Sequence, residues 1–507
     1  MKRKPKKQGS IESCGKLPVG SGSASSPEPS HAASCEHVGR AQTTELGDGD
    51  LTARPIPFLV KNIAIPASVG LFFHTMYNVV DTFFAGRVST QALAALSLSF
   101  PAFFLIIALG SGLGVGATAL MGNALGAKDS NKASVLAVQG LVVSLGAGIM
   151  ISGGGILISP FLFRSLGATG QYLHLCLLYM NIIFAGAAAF MLVYMSNAIL
   201  QAQGNTRPHR NFLMAGFVAN CVLDPWFIHG GLGVPAMGIG GVALATVLIQ
   251  FGGGLYLSFR AWQSGLLKLE RFSNLLPRWG VISEIARQGL PSSLNYMTIG
   301  LGIYVITFFV SDYGSVAVAA YGAAMRVEQI VLLPSIGLNI ATLSLVAQNR
   351  GAGLQGRVWE SMRVALNYGA RIMAVGTVLV LLLARPLMSF FTDDQTVINI
   401  GTTYLRIDAL VLYAYVVLFV HVAALQGVKR PMFGVWVGLL RQILFPAVVF
   451  YLMTKVFNVG LLGIWWGIFA ITWAAAFGAA YVGRIYLTRV LAGDQKMTRH
   501  ADDSTPG

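Results

Sequence analysis

The chain alternates apolar runs of helix length with short polar stretches, and that pattern dictates the first reading. A helix crossing the hydrocarbon of a bilayer needs about 20 predominantly apolar residues. On that basis the sequence predicts spans near 57–85, 92–121, 136–163, 172–200, 211–229, 237–259, 286–311, 317–347, 364–390, 403–426, 434–454 and 461–486. The pattern also repeats. Pro66 slides onto Pro291, an offset of 291 − 66 = 225. Without a gap the same offset carries Ser68 onto Ser293, Thr82-Phe83-Phe84 onto Thr307-Phe308-Phe309, Gly112-Leu113 onto Gly337-Leu338 and Gly126-Ala127 onto Gly351-Ala352. Further on Tyr179 meets Tyr404 and Leu200-Gln201 meets Leu425-Gln426, whereas Gly204 and Pro208 reach Gly427 and Pro431 through a two-residue slip. The expected fold is an all-α membrane protein of about twelve transmembrane helices in two six-helix lobes related by a pseudo-twofold axis along the membrane normal. Paired lobes of this kind let secondary transporters expose a central cavity to one side and then to the other.

Composition agrees with a polytopic membrane protein: 55% of the residues are hydrophobic and 11% charged, against about a quarter charged in a soluble domain. The formal net charge of +15 is read by location, because cytoplasmic loops attract Lys and Arg. Alternate loops carry Lys128 and Lys132, Arg207 and Arg210, Lys268, Arg271 and Arg278, Arg350 and Arg357, and Lys429 and Arg430. The opposite loops hold Arg87, Arg164, Arg385 and Lys455 singly, and one holds Asp393 and Asp394. Both termini are therefore expected in the cytoplasm. The protein is further expected in a bacterial inner membrane, with lipid rather than nucleic acid as the macroscopic partner and a monomer as the working unit. The predicted organisation is a disordered basic tail over 1–56, a first lobe over 57–259, a cytoplasmic linker over 260–286, a second lobe over 287–487 and a cytoplasmic tail over 488–507. Cys14, Cys35, Cys176 and Cys221 have neither a disulfide framework nor metal-ligand spacing. No phosphate-binding loop, zinc motif or nucleophile elbow occurs, so an enzyme is not expected.

An ionisable group inside a span costs about 2.5–3.5 kcal/mol on insertion scales, so each one calls for a reason. Asp81 lies in the first span with Asn78 one turn before it, and Asp224 in the fifth with Asn220 at i−4 on the same face. Both acids fall about 9 Å inside the outer ends of their helices, at 1.5 Å per residue. Thr246 in the sixth span, and Tyr179 with Asn181 in the fourth, reach the same layer. Two carboxylates with neutral oxygen donors can hold a proton, because adjacent negative charges resist joint ionisation, or a desolvated Na⁺, because hard cations take oxygen ligands. The alternative is that these groups only hydrogen-bond between helices to fix packing. The second half has Ile306 in place of Asp81, and Phe445 precedes Pro446 where Asp224 precedes Pro225, so the acids belong to one lobe. In the other lobe Glu328 is expected to form an ion pair with Arg326 or Arg441, and Asp408, beside Arg406, to be interfacial. His74 and His421 read as packing residues or proton relays, and Pro66 and Pro291 as hinges or static kinks.

The run from Tyr77 to Gly86, the loop Gly204-Asn205-Thr206-Arg207-Pro208, the run Asn220 to Pro225, and Gln348-Asn349-Arg350-Gly351-Ala352-Gly353 resemble the multidrug and toxic compound extrusion (MATE) family over residues 57–487. The resemblance implies the MATE fold and antiport of cationic, amphipathic organic compounds against H⁺ or Na⁺, with no cofactor. Acids in the first and fifth spans are similar to those of the prokaryotic, DinF-like branch. Carried over by motif, Asp81, Asn220, Asp224 and Thr246 become the ion-coupling or Na⁺ candidates, with Asn78 beside them and Tyr179, Asn181 and Glu328 as accessories. A lipid-linked saccharide flippase of the same superfamily is the alternative.

Overall fold

The computed structural model describes residues 50–231, 233–267 and 276–503, with side chains to residue 493. Most of the expected N-terminal tail, with Cys14 and Cys35, lies outside these residues, as do Lys268 and Arg271 of the linker and residues 504–507. The described residues form α1 (Ile56–Val88), α2 (Thr90–Gly126), α3 (Ser130–Ser165), α4 (Gly170–Ala185), α5 (Ala187–Ala202), α6 (Arg207–His229) and α7 (Ile239–Gln263) in the first half. The second half contains α8 (Trp279–Ser311), α9 (Ser315–Gly351), α10 (Gln355–Ser389), α11 (Gln395–Ala409), α12 (Leu412–Gly427), α13 (Met432–Leu439), α14 (Phe445–Tyr451) and α15 (Leu461–Asp503). Nine of these helices, and the continuous helical run Met432–Val456 that contains α13 and α14, are long and apolar enough to cross a membrane, and the bent pairs α4–α5 and α11–α12 bring the number to twelve. Polar caps set several boundaries. Ser89 accepts from the Ala92 N–H, Asp129 from Lys132, and Asp394 from Thr396 and Val397, each satisfying a donor that the first helical turn leaves open.

The two bends are local failures of otherwise apolar spans. The fourth turns by 45° around Gly186 and the tenth by 51° at Leu410 and Val411. A break in hydrocarbon is tolerated only where protein groups satisfy the freed backbone. Thr377 donates to the Ala409 carbonyl at 2.7 Å, and the Trp473 indole to Leu410 at 3.2 Å. Because α11 begins at Gln395 rather than near 403, Asp408 sits at this break with 4% exposure instead of at the expected interface.

The halves meet where glycine lets backbones touch. A Cβ on Gly112 would overlap Ser293, and one on Gly337 would overlap Ser68. These are the same contact twice, since 337 − 112 = 225 and 293 − 68 = 225. The pair Gly126 and Gly351 repeats it at the far ends of α2 and α9, each packed on backbone of the opposite half. The interlobe register is thus a pseudo-twofold. It also removes the expected slip: Gly204 and Lys429, which are 225 apart, occupy the same left-handed turn with φ of 73° and 60°. Asn205 N–H bonds to the Leu200 carbonyl as Arg430 N–H bonds to Leu425. A lysine has taken the conformation that glycine adopts without strain, which hid the match from a comparison of residue types. Pro66 and Pro291 both lie inside long helices, α1 and α8.

The Gly116→Val protein should be destabilised by about 1–3 kcal/mol, because a Cβ there falls 2.6 Å from the Gly289 backbone nitrogen. Gly153→Ala, with nothing within 4 Å, should be neutral or slightly stabilising. Thermal unfolding in detergent compares them, and equal melting temperatures would contradict the packing argument.

Candidate functional site

Three helices of the first half carry one buried polar cluster. Asn220 on α6 donates both amide hydrogens, to Asp81 Oδ1 on α1 at 2.8 Å and to Asp224 Oδ1 one turn along its own helix at 3.1 Å. This network fixes the orientation of the amide, since only its nitrogen can donate to two carboxylates. Thr246 on α7 donates more tightly to its own Val242 carbonyl, at 3.0 Å, than to Asp81 Oδ2, at 3.5 Å. Asp81, Asn220, Asp224 and Thr246 are 6%, 0%, 0% and 1% exposed, so bulk solvent does not reach them. The two carboxyls face each other closely enough to share a hydrogen bond when one carries a proton.

The donor inventory falls short. Four carboxylate oxygens receive two good hydrogen bonds and one long one, and Asp224 Oδ2, Asn220 Oδ1 and the Tyr77 hydroxyl are buried without a hydrogen-bond partner. Among the described residues no Lys, Arg or His hydrogen-bonds to either acid. Two unit charges 4 Å apart repel by about 4 kcal/mol at an effective dielectric of 20, and orphaned polar atoms each cost about 1–3 kcal/mol. Such a cluster is stable with a proton on one acid or a cation among the oxygens. Its donor set, all oxygen and hard, suits either, and a cation held there would be coordinated by Asp81, Asn220, Asp224 and Thr246.

The other candidates are distributed differently. Tyr179 on α4 is 4% exposed and lies within electrostatic reach of both acids. Tyr77 was not singled out from the sequence, although its i−4 spacing from Asp81 places it on the same face; it lies beside Thr246 and both acids. Asn78 does not join them: it is exposed and donates to the His74 carbonyl at 2.9 Å. Asn181 accepts from Ser159 on α3 at 2.7 Å, tying two helices together. His74 stacks on Tyr77, and His421 is buried with Nδ1 against the Val417 carbonyl.

Glu328 on α9 is held by tyrosines rather than by the expected ion pair. Tyr404 donates to Oε2 at 2.6 Å and Tyr415 to Oε1 at 2.9 Å, while the Arg441 guanidinium lies over the Tyr415 ring at 4.6 Å and Arg326 is exposed. The tyrosines stand on α11 and α12, on either side of the bend, so one carboxylate clamps both arms of the broken span. At the repeat positions the first half has Phe103 and Phe190, in edge contact at 5.6 Å, with Tyr179. An apolar contact and a charged clamp thus do the same mechanical task in the two lobes.

Comparison with known proteins agrees with this architecture. The MatE family model matches twice, over residues 66–226 and 291–452, and the two starts differ by the same 225. The chain is 28% identical to a Shewanella oneidensis protein described as an FAD transporter, over 78% of this chain and 87% of the relative. It is 25% identical to a probable multidrug resistance protein NorM of Thermotoga maritima, over 81% and 88%, and 23% identical to the multidrug export protein MepA of a Staphylococcus aureus strain, over 86% and 94%. Among solved structures, a MATE in the straight conformation superimposes with a TM-score of 0.82 at 25% identity, covering 87% of this chain and 98% of that one. A MOP superfamily transporter from Pyrococcus furiosus, described as having a binding pocket of reversed polarity, gives 0.81 at the same identity and coverage.

Replacing Tyr404 and Tyr415 together by phenylalanine leaves Glu328 without its two donors. Hydrogen bonds to charged groups contribute about 1.5–3 kcal/mol each, so the double variant should melt well below either single variant. An unchanged melting temperature would mean that Glu328 is not a clamp.

Proposed function

This chain belongs to the MatE family of membrane transporters, whose members are not enzymes, and from that premise we propose that it is a secondary active antiporter exporting cationic, amphipathic organic compounds in exchange for H⁺ or Na⁺. The observation that carries this reading is the Asp81–Asn220–Asp224 cluster, with Asn220 Oδ1 and Asp224 Oδ2 unpartnered, buried in one lobe and without acidic counterparts at the repeat positions of the other. An intramembrane acid pair without a basic partner is neutralised by an ion arriving from solution. Entry of that ion satisfies the orphan atoms and removes the charge repulsion, and its loss restores both. The free-energy difference between the loaded and empty cluster is what a gradient can spend on moving the lobes. The relatives described as multidrug resistance and export proteins support an organic substrate. The basic loops support a multi-pass protein of the bacterial inner membrane with its termini and interlobe linker in the cytoplasm.

The name of the Shewanella relative favours a second reading, in which the cargo is an anionic cofactor. Arg441, whose Nε is buried without a hydrogen-bond partner, is the basic group such a cargo would approach.

Purified protein in liposomes, given separately imposed Na⁺ and pH gradients, tests the proposal. Export of ethidium should follow one gradient, and Asp81→Asn and Asp224→Asn, inserted at wild-type levels, should fall to the level of empty liposomes. FAD should not move under the same gradients. Gradient-driven export retained by both variants would place coupling elsewhere, and transport of FAD in preference to ethidium would favour the second reading.

A further inference from the structure

The contacts between the halves at the ends of α2 and α9 include a pair of hydrogen bonds that obey the repeat. Asn123 Nδ2 donates to the Gly427 carbonyl at 2.8 Å, and Gln348 Nε2 donates to the Ala202 carbonyl at 2.6 Å. The partners are related by the offset of 225 on both sides, since 348 − 123 = 225 and 427 − 202 = 225. Each amide reaches from an α2 or α9 end in one half to the last turn of the bent span in the other. Both donors are buried, at 7% and 2% exposure, so each bond is shielded from water. This end of the molecule is therefore closed by a symmetric lock.

One element breaks the symmetry. Residues 50–54 run across the closed end just before α1. The Asp50 carboxylate accepts from the Thr52 N–H at 2.8 Å and shapes the turn. Leu51 is held from both sides. Its backbone is gripped by the second half, where Gln348 Oε1 accepts from the Leu51 N–H at 3.1 Å and Arg357 donates to the Leu51 and Arg54 carbonyls at 3.1 and 2.7 Å. Its side chain, 2% exposed, inserts into the first half against Gly204, where a Cβ would fall 2.6 Å from Leu51 Cδ2. The repeat position, 51 + 225 = 276, is a leucine 63% exposed. Gln139 of the first half donates to the Leu276 carbonyl and accepts from the Arg278 N–H, both at 2.9 Å, so the two segments are alike in having backbone held by the opposite half and differ in that only the Leu51 side chain is seated.

We propose that residues 50–54 are a latch: Leu51 pins the first half to the second at the closed end, in series with the Asn123 and Gln348 bonds, and must leave its seat before that end opens. This rests on the transport reading, in which the closed end faces the cytoplasm and opens once per cycle. With Leu51 seated the lobes are tied there, because Gln348 and Arg357 of the second half hold its backbone while its side chain packs on Gly204 of the first half within an apolar cluster drawn from both.

The test uses full-length protein with its four native cysteines replaced by serine and Ala347→Cys as reporter. Ala347 is 0% exposed and faces Gly122 across the interface. Maleimide labelling is measured without substrate or gradient in inside-out membranes. Leu51→Gly should raise the labelling rate at least tenfold, as the loss of a buried leucine side chain implies, and the matched variant Leu276→Gly, whose side chain is exposed, should leave it unchanged. Arg357→Gln, which releases two carbonyls without touching the apolar seat, is the second variant and should shift it in the same direction. Unchanged labelling in folded Leu51→Gly and Arg357→Gln, or an equal rise in Leu276→Gly, overturns the latch. Because labelling needs no transport, a raised rate in a protein that exports nothing would overturn the antiport reading and leave the latch standing.

Discussion

Everything in this molecule depends on the halves being able to touch backbone to backbone. Inside a bilayer no hydrophobic force drives one apolar helix onto another, so association relies on close packing and on interhelical hydrogen bonds. Gly112 against Ser293 and Gly337 against Ser68 provide that packing twice, and Gly126 with Gly351 repeats it where α2 and α9 end. The glycines fix the crossing points, the crossing points fix the pseudo-twofold, and the pseudo-twofold sets equivalent residues at equivalent depths in two lobes.

On this symmetric frame the chemistry is asymmetric. The first lobe spends its polar residues on an acid pair bridged by one amide, and its bent span is packed by Phe103 and Phe190. The second lobe has Ile306 where Asp81 stands, and clamps its bent span through Glu328, Tyr404 and Tyr415. One lobe thus holds an acid pair bridged by a single amide, whose energy changes when an ion enters, and the other a carboxyl whose two oxygens are each met by a tyrosine. A device that must respond to an ion is built from the first kind, and a rigid partner to work against from the second.

Much of this was legible in the sequence. The 225-residue offset needed only residue identities, the spans only apolar length, and the meeting of Asp81, Asn220, Asp224 and Thr246 only depth and helical face. The remainder depended on geometry that composition does not encode. Asn78 is one turn from Asp81, yet its side chain bonds to its own helix. The apolar pattern runs unbroken through Gly186 and Leu410, so the bends were invisible, and with them the burial of Asp408 and the clamp on Glu328. The slip placed at Gly204 arose because lysine occupies a left-handed turn at 429. Leu51 stood in a polar stretch assigned to the tail, where a single apolar residue carries no periodicity.

The central claim is that the cluster bridged by Asn220 exchanges an ion when an organic cation binds. Ion release on ligand addition measures it without any membrane: purified protein in weakly buffered detergent solution is mixed with ethidium while pH and free Na⁺ are followed. The account predicts a stoichiometric release of one of the two ions from the wild type and none from Asp81→Asn or Asp224→Asn that still bind the dye. Binding with no release from the wild type, or equal release from both variants, would contradict it.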